Sequence, residues 1–206
     1  MRLTLLFSIV LFTFFSCQND NSEKGWKEIE VYDKLSKNPV FVKMKQMPEI
    51  IDLYYKNDFL LTRSAKVTYL RSRDKDFLEE YVDTVFNANV IIPHRDSLMV
   101  RISFSDGWAG NGVLLHIKRN QFNTNVFEFS DTQVVDELGN VIEPKLTTKI
   151  YNQKLILDKH AYEVGDSIYG KINFYLMQTT DLKETKDTFY YKGAGYFRAI
   201  IKKNYY

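Results

Sequence analysis

Apolar and polar positions alternate along most of the chain after residue 64, which is the period of strands with one buried face. Leu98, Val100, Ile102 and Phe104 share one parity and enclose Met99, Arg101 and Ser103, predicting a strand. Residues 66–71, 112–118 and 125–130 have strand composition as well. Residues 136–140 (DELGN) read as a hairpin turn between 132–135 and 141–142. Residues 154–157 predict a strand and 160–166 a turn, after which Ile168, Gly170, Ile172, Phe174 and Leu176 fall on one face of a long strand. Residues 188–191 form the next run, Gly193 and Gly195 punctuate it, and residues 196–202 predict a final strand.

The region before residue 64 is less regular. Val40, Val42 and Met44 alternate with Phe41, Lys43 and Lys45, so residues 26–45 read as short extended pieces. Met47-Pro48-Glu49 offers a helix start, because proline suits the first turn and an acid complements its amide dipoles; the helix would run to about Phe59. Asp76 followed by Glu79 fits a capping box, yet residues 81–86 read equally well as extended. The expected fold is therefore mostly β: an antiparallel β-sandwich over residues 64–206, preceded by a short helical or extended segment over 26–63.

The extreme N-terminus follows another pattern. Arg2 precedes an uncharged apolar run over residues 3–15, then Ser16-Cys17, then the polar stretch QNDNSEK. A charged start, a short apolar run and a small residue before the break describe a secretory signal peptide. The run is shorter than the roughly 20 residues that a membrane-spanning helix needs. Phe14-Phe15-Ser16-Cys17 resembles a bacterial lipobox, in which cleavage before the cysteine leaves it acylated. The family prefers leucine three residues before the cysteine and a small residue two before, and here both positions are phenylalanine. An ordinary signal peptide with an incidental cysteine is the alternative. The resemblance implies a leader over 1–16, lipid on Cys17 and a polar tether over 17–25. The stretch after Cys17 is similar to the surface-export signal of Bacteroidetes-type lipoproteins, and serves equally as a flexible spacer. An outer-membrane, lipid-anchored protein is the expectation, with cell-surface exposure if the export signal operates.

Composition narrows the rest. The chain has 206 residues, is 45% hydrophobic and 15% aromatic, and carries only 4 Pro and 9 Gly, which suits a packed core and not a disordered chain. Lys and Arg number 28 against 26 Asp and Glu, without a block of like charge, so no nucleic-acid groove is expected. Cys17 is the one cysteine; once acylated it leaves no thiol, and the core must stabilise the fold without disulfides.

No catalytic constellation emerges. His94, His116 and His160 are far apart and stand in no metal-binding spacing. There is no Gly-x-Ser-x-Gly motif, and the Gly-rich stretch 107–112 lacks the lysine of a phosphate loop. Acid pairs such as Glu79-Glu80 and Asp136-Glu137 lie in expected turns. The expectation is a non-enzyme with no cofactor and no metal. The stretch SDGWAGNG (residues 105–112) is the candidate binding loop, with Asp106, Trp108 and Asn111 as its candidate residues. A loop tryptophan is a strong recognition anchor, or else a lid folded onto the core. Asp83-Thr84-Val85, Asp96-Ser97-Leu98 and Asp166-Ser167-Ile168 each resemble the acceptor at which Bacteroidetes O-glycosylate exported proteins, and equally are ordinary turn chemistry.

Tyr162, Gly165, Asp166, Ile168 and Gly170 fit the pattern Tyr-x-x-Gly-Asp-x-Ile-x-Gly. This resembles a strand-turn-strand unit of macroglobulin-type and arrestin-type immunoglobulin-like sandwiches. It implies a β-sandwich and no activity. The expected function is a lipid-anchored envelope lipoprotein that binds a protein or glycan partner. An immunity or inhibitor lipoprotein acting on an envelope toxin or hydrolase is the alternative.

Overall fold

The computed structural model describes residues 25–45, 64–77, 81–85, 87–94, 96–105, 109–130, 138, 141–182 and 185–203. The fold is mostly β, as the alternation predicts. In chain order the elements are β1 (Lys27–Glu28), β2 (Glu30–Val31), a 3-10 turn (Leu35–Lys37), α1 (Pro39–Lys45), β3 (Ala65–Ser72), β4 (Tyr81–Val85), β5 (Asn87–His94), β6 (Ser97–Ser105), β7 (Ala109–Lys118), β8 (Gln121–Ser130), β9 (Lys145–Leu157), β10 (Ser167–Leu182) and β11 (Thr185–Lys203). The expected leader, the tether from Cys17 up to residue 24 and the helix over 47–59 lie outside the described residues, while Gly25 at the tether's end is held by Asn123 and Gln153.

Two sheets face each other around one core. The first runs β4-β3-β11-β10-β9-β2 and the second β1-β8-β7-β6-β5. Strand β11 belongs to both. Its residues 190–197 pair with β3, and its last three, Ile201–Lys203, pair with β5 in parallel. On the opposite side β1 lies antiparallel on β8 and β2 lies parallel on β9, with Ile29 between them. A five-residue strap thus joins the β8 and β9 edges and nearly closes the structure, while β4 stays an end strand that pairs only with β3 among the described residues. An antiparallel sandwich describes the long strands, while two of the three pairings that close it, β11–β5 and β2–β9, are parallel.

The inward faces supply the core: Val67 and Tyr69 from β3, Val100 and Ile102 from β6, Val113 and Leu115 from β7, Phe122 and Val126 from β8, Leu155 from β9, Ile172 and Phe174 from β10, and Phe197 from β11. Strand β10 buries alternate residues from Ile168 to Gln178, as its sequence pattern requires. On β9 the register shifts between Tyr175 and Leu176 of the partner strand, so Tyr151 is the extra residue of a bulge. The bulge turns Tyr151 outward, where its ring stacks on Tyr175 at 4.8 Å between centroids.

Two expectations need correction. Residues 39–45 are helical, not extended. Asn38 caps the helix by accepting from the Val40 N–H at 3.0 Å, and Pro39 occupies the first turn, where its missing donor costs nothing. Phe41 and Met44 are then one turn apart and are buried with Leu35 against Ile156, Tyr169 and Tyr196. Gly193 and Gly195 do not punctuate the chain; they lie inside the single 19-residue strand β11. A Cβ on Gly195 would strike the backbone of Lys66 and Val67, and one on Gly193 the Phe174 ring. These glycines mark close approach, not a turn.

Candidate functional site

The strap end of the barrel carries a cavity of about 200 Å³. Its floor is apolar: Ile29 and Val31 from the strap, with Ile92, Leu98, Ile117 and Leu157 from the ends of β5, β6, β7 and β9. Three turns form the rim. Asp96 comes from the β5–β6 turn with Ser97 at the start of β6, Arg119 and Asn120 from the β7–β8 turn, and Lys159, His160, Ala161 and Tyr162 from the connection between β9 and β10. The strap brings the β9–β10 connection beside the turns of the β5-β6-β7-β8 sheet.

The rim is tied down by backbone. Lys118 pairs with Gln121, so Arg119-Asn120 is a two-residue hairpin loop, and Arg119 takes φ +56. That left-handed conformation normally falls to Gly or Asn. The Arg119 N–H donates to the Asp96 carbonyl at 3.3 Å, joining two rim turns, and the Ile29 N–H donates to the Asn120 carbonyl at 3.0 Å. Ser97 Oγ is buried and has no hydrogen-bond partner among the described residues.

The run that resembles the immunoglobulin-like unit folds as strand-turn-strand and builds the third rim turn. The Tyr162 hydroxyl donates to Asp158 Oδ1 at 2.7 Å, and the same oxygen accepts the Tyr169 N–H at 2.9 Å. Asp166 Oδ2 accepts from Lys159 Nζ at 2.6 Å and from the Glu163 N–H at 2.9 Å. The Lys159 bond leads in holding the Asp166 carboxyl below its ordinary range, followed by the Glu163 N–H. Burial, then the bond and charge of Asp158, push the Tyr162 phenol well above the ordinary tyrosine range. Gly165 supplies the turn at φ +95, and its N–H donates to the Ile201 carbonyl at 2.9 Å. The cavity wall is therefore built on a locked turn.

Of the predicted site residues only Asn111 is described, and it falls at the other end of the barrel. Asp106 and Trp108 lie outside the described residues. Asn111 is on β7, directly opposite Glu128 of β8 and on the face shared with Val113. Around Glu128 stands a polar group that sequence reading missed. Arg71 Nε approaches Glu128 Oε1 at 3.2 Å, and the Tyr191 hydroxyl donates to the same oxygen at 3.2 Å. The Arg71 guanidinium also lies 3.8 Å over the Phe189 ring. Burial, then the Glu128 charge, push the Tyr191 phenol well up. The charges here satisfy one another, which suits a structural plug. The strap-end rim instead keeps Asp96 and Arg119 without an ion-pair partner among the described residues.

Among the described residues no three His, Cys, Asp or Glu side chains gather as a metal site. Burial lowers the pKa of His116, while His160 is exposed on the cavity rim. Of the resembled glycosylation acceptors, Ser97 has its hydroxyl buried and Ser167 is exposed. Sequence reading also passed over Arg119 and Asp96 as rim residues. The hairpin signal was present, since Arg119-Asn120 separates two alternating runs by two residues. Compared with known proteins, the chain matches no family model, no curated protein and no solved structure.

Proposed function

We propose that the protein is a cell-envelope lipoprotein, held to the bacterial outer membrane by lipid on Cys17, whose barrel is a non-enzymatic module for binding a protein or glycan partner. The anchor rests on the leader, the lipobox resemblance and the polar tether. The binding reading rests on one observation, the strap-end cavity, where an apolar floor lies beneath a rim on which Asp96 and Arg119 have no ion-pair partner among the described residues. Apolar floors with a few placed polar groups are the usual make-up of binding sites. The floor favours a protein side chain over a glycan, because sugar hydroxyls gain nothing from six aliphatic walls.

Two experiments test this. Photo-cross-linking from His160, on the rim, is compared in intact cells with cross-linking from Val42, exposed on α1. Discrete adducts from His160 that vanish in Leu98→Trp, which fills the cavity, are the expected result. Equal adducts from both positions, or adducts untouched by the filling, dispose of the cavity as the partner site. Cell fractionation of Cys17→Ala tests the anchor: release into the soluble fraction is expected, and membrane retention equal to wild type removes it.

A further inference from the structure

The strap-end cavity has a more specific chemistry, which rests on its reading as the partner site. We infer that it receives the C-terminal residue of a protein, with the apolar side chain on the floor and the terminal carboxylate at Arg119. Size is the first argument. About 200 Å³ lies below the roughly 300–1,000 Å³ of small-molecule pockets and suits one side chain better than a helix or a disaccharide.

Charge is the second argument. Arg119 and Asp96 stand on adjacent turns linked by the Arg119 N–H, and neither side chain has an ion-pair partner among the described residues. Lys159, by contrast, is held by Asp166. A chain terminus offers three groups within one residue: an apolar side chain, a carboxylate that accepts, and an amide N–H that donates. The guanidinium fork matches the carboxylate, and the Asp96 carboxylate accepts the N–H. An internal residue of a protein has no carboxylate to give Arg119.

Backbone is the third argument. Arg119 holds φ +56 where Gly would be free of strain. A guanidinium kept at this position against the local preference points to a role for its charge. A free apolar α-amino acid carries the same groups, with an ammonium in place of the amide N–H, so the test must separate the two sources.

The probes are N-acetyl-glycyl-phenylalanine, its C-terminal amide and free phenylalanine, titrated calorimetrically into the purified protein. The acid is expected to bind at least about tenfold more tightly than its amide, the usual scale for a charge-assisted hydrogen bond. Arg119→Gly suits the backbone and should reduce binding of the acid to the level of the amide, with thermal melting confirming the fold. Equal binding of acid and amide, no binding of either, or acid binding unchanged in Arg119→Gly overturns the inference. Free phenylalanine binding more tightly than the acetylated dipeptide overturns the protein terminus in favour of an amino acid. If Leu98→Trp abolishes His160 adducts while no probe binds, this inference alone falls. If the adducts persist, the cavity reading beneath it falls too.

Discussion

Gln153 and Thr124 are joined across the closure of the barrel. The Thr124 N–H on β8 donates to Gln153 Oε1 on β9 at 3.0 Å, although the two strands are not paired with each other. The other half of the same amide, Nε2, donates to the Gly25 carbonyl at 2.7 Å, where the strap begins. Gln153 is 4% exposed, so each of its groups must be satisfied within the protein. One side chain thus fastens both edges and the strap that covers them.

Replacing Gln153 with Leu keeps the volume and removes both bonds, together with a longer one from Nε2 to the Phe122 carbonyl at 3.5 Å. The Gly25 carbonyl still receives Asn123 Nδ2 at 2.9 Å, but the Thr124 N–H is left buried and alone. A loss of about 2–3 kcal/mol is expected, the cost of a missing bond plus a stranded donor. Urea denaturation measures it. A loss below about 0.5 kcal/mol would mean that water reaches the joint and that Gln153 does not fasten it.

Glycine substitutions should rank by what a new Cβ would meet. At Gly195 it meets the backbone of β3, which can yield only if the strands part, so Gly195→Ala should cost at least about 3 kcal/mol, the upper range for overpacking. At Gly193 it meets the Phe174 ring and only grazes the Thr68 carbonyl, so the strands need not part and a smaller loss is expected. Gly165 has open space around it and φ +95, so Gly165→Ala should cost only the left-handed strain of about 1–2 kcal/mol. Thermal melts of the three variants check the order. A Gly195→Ala as stable as Gly165→Ala would contradict the close approach of β11 and β3.

These same glycines explain what the sequence made legible. Uninterrupted period-2 runs such as 98–104 and 168–176 announced their strands; Val100 and Ile102 are buried in the first, and the second buries one face without irregularity. Strand β11 was divided at Gly193 and Gly195, since a glycine kept for close packing looks the same as one kept for a turn. Strand β9 was legible only over 154–157, because the bulge at Tyr151 reverses the buried parity before it. Helix α1 was hidden by a short run that fits both periods, although Asn38-Pro39 carried the cap signal. The cavity was not legible at all. Its walls come from segments scattered between residues 29 and 162, brought together by two parallel joints that leave no local trace.

Alkaline pH should weaken the fold through two tyrosines. Burial is the leading reason that both Tyr162 and Tyr191 resist ionisation, seconded by the nearby acids Asp158 and Glu128. In the unfolded chain both would ionise near pH 10. Above that pH the native state holds more protons than the unfolded one, so stability falls as pH rises. Their contribution is complete below about pH 10 and drains away above it. The slope is at most about 1.4 kcal/mol per pH unit for each, less the screening where half-buried Tyr162 meets solvent. Tyr162→Phe should lose about 1 kcal/mol at neutral pH with its bond to Asp158, yet decline less steeply between pH 10 and 12. Tyr191→Phe should flatten the decline by a similar amount, and the double variant by both together, since the two rings sit at opposite ends of the barrel. Urea midpoints at pH 8, 10 and 11 decide the matter. Wild type and Tyr162→Phe declining in parallel would mean that the Tyr162 phenol ionises freely in the native state, and that the third rim turn is not locked.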